Sequence, residues 1–170
     1  MSTDVQIREE PADGPSARLL FDEYLALVRE RIGPDFVPSE RIFATEDAFA
    51  GEGTAWLVLY DGADAPIGCG GLRTLAPGVG EIKRMFVVRR ARGSGLGRLL
   101  LHELELRAAR ARLSRVRLLT TAALSEACAL YAAQGYQPIE RIEREGRPVE
   151  VWLEKELDVP AERLPPFARG

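Results

Sequence analysis

The sequence predicts an α/β fold of the α+β kind: a mixed, mostly antiparallel sheet flanked by helices. Three observations carry this. Residues 54–88 read as three strands separated by tight turns, which makes an antiparallel meander. Residues 81–121 then read as strand, glycine-rich loop, helix and strand, a crossover that sets two strands parallel. Two closing strand-like runs, 136–142 and 149–157, flank the turn Gly146-Arg147-Pro148.

In chain order, residues 4–9 alternate Val5 and Ile7 with polar neighbours, as a short half-buried strand does. The segment 11–15 turns the chain between two prolines. Ser16 is placed to cap a helix over 17–31, with Leu19, Leu20, Tyr24, Leu27 and Val28 as its apolar stripe. Gly33-Pro34 stops that helix, and Pro38-Ser39 starts a shorter one over roughly 40–50. Residues 54–60, TAWLVLY, are nearly all apolar and suit a strand buried on both faces. Asp61-Gly62 lies in the hairpin turn 61–66. The glycines of strand 67–75, IGCGGLRTL, mark a bulge or a close approach of backbone. After the turn 76–80, residues 81–88 mix β-branched, aromatic and basic residues, as strands tolerate.

The next helix runs from Leu96 to about Ala111, with Leu96, Leu100, Leu104, Ala108 and Ala111 on one face. Arg107, Arg110 and Arg112 sit in its last turns, where the helix dipole favours cations. Strand 116–121 follows. Ser125 reads as the cap of a helix over 126–134, with Glu126 in its first turn and Gly135 as its terminating glycine. Residues 1–157 are expected to form one domain, and 158–170 a loose polar tail. No repeat or linker divides the chain.

Hydrophobic content of 46% and charged content of 29% over 170 residues indicate a globular domain with a sizeable core. A net charge of −3 argues against broad nucleic-acid affinity. Within that acidic chain, residues 83–98 carry only basic charges, Lys83, Arg84, Arg89, Arg90, Arg92 and Arg98. A local basic segment of this kind suits a small anionic ligand. Cys69 and Cys128 fall in different elements and read as buried free thiols. One histidine, His102, and two separated cysteines assemble neither a zinc site nor a nucleophile–histidine pair, so no metal is expected. His102 is assigned to the helix surface. The N-terminal residues show no signal-peptide pattern and no run reaches transmembrane length, so a cytoplasmic protein without membrane attachment is expected.

The stretch 81–101, EIKRMFVVRRARGSGLGRLLL, organises the chain. A strand feeding a glycine loop and then a helix N-terminus is a way to hold an anion. The first N–H groups of a helix have no intrahelical acceptor, and the dipole places partial positive charge there. The phosphate-loop pattern G-x-x-x-x-G-K-[ST] fails, because counting from Gly93 reaches Arg98. The dinucleotide pattern G-x-G-x-x-G fails at the same residue. What remains is Arg92-Gly93-Ser94-Gly95-Leu96-Gly97.

That loop matches R/Q-x-x-G-x-G/A, the pyrophosphate loop of the GNAT superfamily of acetyl-CoA-dependent N-acetyltransferases, which the chain resembles. Two further motifs carry the likeness: the GCGGLR strand, and the helix ACALYAAQGY over 127–136, similar to A-x-x-L-Y-x-x-x-G-[FY]. The order of elements matches that fold over nearly the whole chain before the tail. The resemblance implies acetyl-CoA as co-substrate and a primary amine, on a small molecule, as acceptor. It implies that Arg92, Gly93, Ser94, Gly95, Leu96, Gly97 and Arg98 hold the pyrophosphate through the loop backbone. It implies main-chain hydrogen bonds from Met85, Phe86 and Val87 to the pantetheine arm. Tyr131 falls where many relatives keep a tyrosine near the coenzyme sulfur, and Glu81 where some keep a general base. Two positions depart from the pattern. Leu124 stands where many relatives have asparagine, and Leu119 where some have a base glutamate.

The implied chemistry is attack of a deprotonated amine on a thioester, in a ternary complex, without a covalent enzyme intermediate. A carboxylate would take the amine's proton and a tyrosine would return one to the thiolate. Two other readings share the fold: a non-catalytic acetyl-CoA-binding sensor or interaction module, and an acetyltransferase of protein N-termini or lysines. Tyr131 as a core aromatic and Glu81 as a solvated strand residue are the structural alternatives to their chemical roles. A homodimer is left open.

Overall fold

The structure, a computed structural model, describes residues 4–37 and 49–158. Its elements are β1 (Gln6–Glu9), α1 (Pro15–Ile32), β2 (Ala55–Tyr60), β3 (Pro66–Ala76), β4 (Val79–Val87), α2 (Leu96–Arg110), β5 (Arg115–Thr121), α3 (Ser125–Ala133), β6 (Gln137–Ile142) and β7 (Glu150–Glu156). The strands form one sheet in the order β1-β2-β3-β4-β5-β7-β6. Neighbours run antiparallel except β4 and β5, which the α2 crossover makes parallel. The mixed, mostly antiparallel sheet expected from the sequence is present. The helix expected over roughly 40–50 lies outside the described residues up to residue 48. Of the expected tail, only Asp158 is described.

The sheet is covered on both faces around β2 and β3. Every residue of β2 is buried, as its continuous apolar run requires. The glycines of β3 explain how the layers come so close. A Cβ on Gly70 would lie 2.9 Å from Leu104 Cδ1, on the side packed by α2. A Cβ on Gly71 would lie 2.3 Å from Phe49 Cε1 and 2.8 Å from Trp56 Cε3, on the other side. That second face also carries α1, whose Ser16 Oγ is 2.7 Å from Tyr60 Oη. Leu100, Leu101, Leu104 and Ala108 of α2 and Leu20 and Val28 of α1 complete the core.

Two expected helix caps are not used. Ser16 lies inside α1, which Gly14 caps by backbone alone while Pro15 takes the first helical position. Proline fits there because its fixed φ is helical and its missing N–H would have had no acceptor. Ser125 likewise lies inside α3, behind Leu124, and its hydroxyl contacts Glu126 instead. Leu19, placed in the α1 stripe by its spacing, is half exposed. Gly135, with φ +90°, terminates α3 as expected. Cys69 and Cys128 are both free thiols, the first buried and the second half-buried. Burial pushes the Cys69 thiol up to about 12.

The contact at Gly71 gives a direct test of layer spacing. Gly71→Ala should destabilise the fold by about 1–3 kcal/mol, the usual cost of overpacking. A drop in Tm of several degrees by calorimetry or circular dichroism is the expected outcome. An unchanged Tm would mean that Phe49 and Trp56 give way freely.

Candidate active site

The site begins where two strands part. β5 pairs with β4 only at Val79–Arg115, Gly80–Val116 and Glu81–Arg117. Beyond that point β5 stays paired with β7 as far as Thr121–Glu150, but β4 has no β5 partner. A bulge in β4 sits at the parting. Gly71 faces Lys83 and Cys69 faces Phe86, so β4 uses one residue more than β3 over this interval. Arg84 absorbs it with φ +53°, in the left-handed region. Its carbonyl accepts a hydrogen bond from Cys69 Sγ at 3.6 Å. The edge of β4 from Ile82 onward therefore turns towards an opening rather than a neighbouring strand.

That opening is a cleft of about 560 Å³. Met85, Phe86 and Val87 form its β4 wall, the loop after β4 closes one end, and Ala127, Leu130, Tyr131 and Gln134 of α3 stand opposite. Gly93, with φ +82°, and Gly95, with φ +80°, bend the loop as few other residues could. The first intrahelical bond of α2 runs from Leu99 N to Gly95 O, 3.0 Å. The N–H groups of Leu96, Gly97 and Arg98 precede it and point out of the helix start. Ser94 Oγ donates to Ala91 O (2.9 Å) and is spent on the loop itself.

Two loop residues do something the sequence did not suggest. Arg92 turns back: its Nε donates to Val87 O at 2.9 Å, and its guanidinium lies 5.7 Å from the centre of the Phe86 ring. It clamps the loop to the end of β4. A Cβ on Gly97 would lie 3.2 Å from Leu130 Cδ2, so this glycine sets the spacing of α2 and α3. Arg98 is exposed and lines the cleft.

Tyr131 is buried, and its ring stands edge-on to Tyr136 at 5.8 Å. It lines the cleft and also a smaller cavity of about 100 Å³ between the parted strands. Burial, and then the neighbouring Tyr24 and Cys128, push its phenol above the usual range, so it keeps its proton. Tyr24 reads in the sequence as core stripe. It lines both cavities and a third, and packs edge-on against Phe86 at 5.9 Å.

Glu81 faces the smaller cavity but is not a solvated strand residue: it is 2% exposed. Arg73 donates to its Oε2 from Nε at 2.7 Å and contacts it from Nη2 at 2.6 Å. Lys83 Nζ stands 3.6 Å from Oε1. Burial pushes the Lys83 ammonium down, against the pull of Glu81. Glu150, at the start of β7, is a carboxylate that the sequence did not single out, because only the β5–β7 register brings it beside the parted strands. Across the mouth of the cleft, Arg31 near the end of α1 donates to Glu126 in the first turn of α3 at 2.7 Å. Arg31, and after it the residue's own backbone N–H, hold the Glu126 carboxyl well below the usual range.

Comparison with known proteins gives the same frame. No curated protein sequence matches the chain. Solved structures match it closely in shape. An acetyltransferase of the GNAT family from Staphylococcus aureus superposes with a TM-score of 0.72 at 16% identity, over 90% of this chain and 99% of that one. An IAA acetyltransferase from Bacillus cereus gives 0.67 at 22% identity, over 91% and 100%. A phosphinothricin acetyltransferase from Sinorhizobium meliloti, solved with AcCoA, gives 0.68 at 22% identity, over 90% and 88%. At these identities the likeness shows a shared fold. The family model for GNAT acetyltransferases matches residues 20–136, which span the parted strands, the glycine loop and Tyr131, and the chain therefore belongs to the acetyltransferase (GNAT) family.

Proposed function

We propose that this protein is an acetyl-CoA-dependent N-acetyltransferase that moves the acetyl group to a primary amine of a small molecule, by direct attack in a ternary complex. The observation that carries it is the continuity of one groove. The unpartnered β4 edge runs from the Arg84 bulge to the α2 N-terminus, with Tyr131 across from it. A long ligand with an anionic end and an amide-bearing arm matches that groove. Its pyrophosphate suits the outward N–H groups of Leu96, Gly97 and Arg98. Its arm suits the Met85–Val87 edge, as a peptide suits a sheet edge. The Val87 carbonyl already accepts from Arg92, which leaves Met85 and Phe86 as the main partners there.

The coenzyme supplies an activated acetyl thioester. The chain's own groups do the rest. A backbone N–H at the bulge can stabilise the charge that builds on the thioester oxygen. Tyr131 keeps its proton and can donate it to the departing sulfur. Glu81, the proton acceptor expected from the family pattern, has its charge committed to Arg73 and Lys83. A carboxylate buried and held this way by two cations fits better as the anchor of the strand ends. The small size of the two cavities next to the cleft, about 100 Å³ each, supports a small acceptor rather than a folded protein's terminus or lysine.

The test of the function is release of free coenzyme thiol from acetyl-CoA with a panel of amines. Amine-dependent release is expected, and tight acetyl-CoA binding with no release for any amine would favour a sensor. Arg98→Glu reverses a charge at the loop without touching a packed residue. Coenzyme A affinity should fall about tenfold, or about 1.4 kcal/mol, by calorimetry, and by less at high salt. Tyr131→Phe keeps the ring and removes the donor, so kcat should fall about 10²-fold while coenzyme affinity changes by less than about threefold. Glu81→Gln leaves Arg73 facing a neutral group. The expected result is a lowered Tm, with loss of about 1–3 kcal/mol as for a weakened hydrogen bond to a charged group, and a pH–rate profile that keeps its acidic limb. A variant of normal Tm that loses this limb would instead make Glu81 the proton acceptor.

A further inference from the structure

The acceptor half of the site carries a second carboxylate, placed differently from Glu81. Glu150 lines two cavities of about 100 Å³ each. One lies between the parted strands and shares Tyr131 and Met85 with the coenzyme cleft. The other opens between the end of α1, the end of β5 and the turn before β7. Glu150 thus stands on the path from the outer cavity to the thioester position. Its side chain is about a third exposed, at 29%, so it is reachable by a small molecule. Only its Oε2 is bonded among the described residues, and weakly, to Arg144 Nη1 at 3.3 Å. Glu81 differs on each count: it is buried and held by two cations.

The outer cavity also has a chemical character. Val28, Ile32, Phe36, Leu119, Leu124 and Pro148 make its walls. Among the described residues its polar groups are Glu150, Arg147, Thr120, Thr121 and the Tyr24 phenol. An apolar pocket that carries the Glu150 carboxylate fits a molecule with a cationic head and a hydrocarbon tail. Leu119 of β5 is part of the apolar wall, while Glu150 of the adjoining strand β7 supplies the carboxylate.

We propose that Glu150 is the catalytic carboxylate that holds the acceptor's ammonium and takes its proton, and that the acceptor is a primary amine bearing a compact apolar substituent. This rests on the acetyl-transfer reading above. The amine arrives protonated, with a pKa of about 10 by analogy with lysine. Glu150 takes one ammonium proton as the nitrogen lone pair forms the N–C bond to the thioester carbon. The C–S bond then breaks and the thiolate leaves as thiol with a proton from Tyr131; the second nitrogen proton passes through water to restore the Tyr131 phenol, and Glu150 releases its proton to solvent. Among the described residues, the titratable and charged groups that share these cavities with Glu150 or bond to it are Arg144 and Arg147 from the turn, Lys83, Arg84 and Glu81 from β4, Tyr24 from α1 and Tyr131 from α3.

The experiment compares isopentylamine with putrescine, which has a second ammonium in place of the branched end, using the wild type, Glu150→Gln and Glu150→Asp. Coenzyme A affinity is measured for each protein. Wild type should prefer isopentylamine at least tenfold in kcat/KM. Glu150→Gln should lose about 10²-fold and the acidic limb of its pH profile, with coenzyme A affinity within threefold of wild type. Glu150→Asp, which keeps the charge with a shorter reach, should fall between the two and keep that limb. Equal use of putrescine overturns the substrate class. An active wild type matched by Glu150→Gln, or an Asp variant no better than the Gln variant, overturns the role of Glu150. A wild type that binds coenzyme A and acetylates neither these nor any other amine overturns the acetyl-transfer reading itself, and this inference with it.

Discussion

The site depends on a pairing that stops. Two parallel strands normally stay bonded along their common length, because each unpaired backbone group left in a dry interior costs free energy. Here β4 and β5 share three residue pairs and then separate. The separation is held from both sides. β5 is bound to β7 along its whole length, and β4 is bent away by the residue that Arg84 inserts. The groups proposed to act in acetyl transfer sit in the wedge that results. The cleft proposed for the coenzyme, the inner cavity, Tyr131, Glu81 and Glu150 all border it.

Charge is arranged to match. The basic residues of 83–98 do not act as one patch. Arg92 is drawn back onto the Val87 carbonyl, Arg89 pairs with Glu30, and Lys83 lies by Glu81. What the loop presents to an anion is chiefly backbone N–H, with Arg98 nearby. Backbone donors are fixed in place and need no side-chain ordering on binding. The Arg73–Glu81–Lys83 group, built on the buried Glu81, lies at the last residue of β4 paired with β5, where it ties β3 and β4 together.

Much of this was legible in the sequence because it is local. The succession of elements, the β2 burial and the glycine bend at 93–95 follow from spacing and residue type within a few positions. The glycines of β3 were legible as a close approach, though which layer each one faces was not. The failures are also physical. Ser16 and Ser125 satisfy a local capping rule, yet Pro15 and Leu124 shift each helix start by a residue or more. Glu81 looked solvated because its partner Arg73 lies eight residues away, across a hairpin. Glu150 carried no signal, since its position depends on the register of β7 against β5. Tyr24 packs against the core as its spacing suggests, but that spacing carried no sign that it also borders the cavities.

The link between Arg31 and Glu126 has a consequence for the helix ends beside the groove. It joins the far end of α1 to the near end of α3, and both side chains are exposed. Exposed ion pairs are weak and lose strength as salt rises. The tie between the two helix ends is thus one that can break without melting either helix. Ionic strength bears on how firmly these ends are joined beside the groove, separately from the packing of each helix on the sheet.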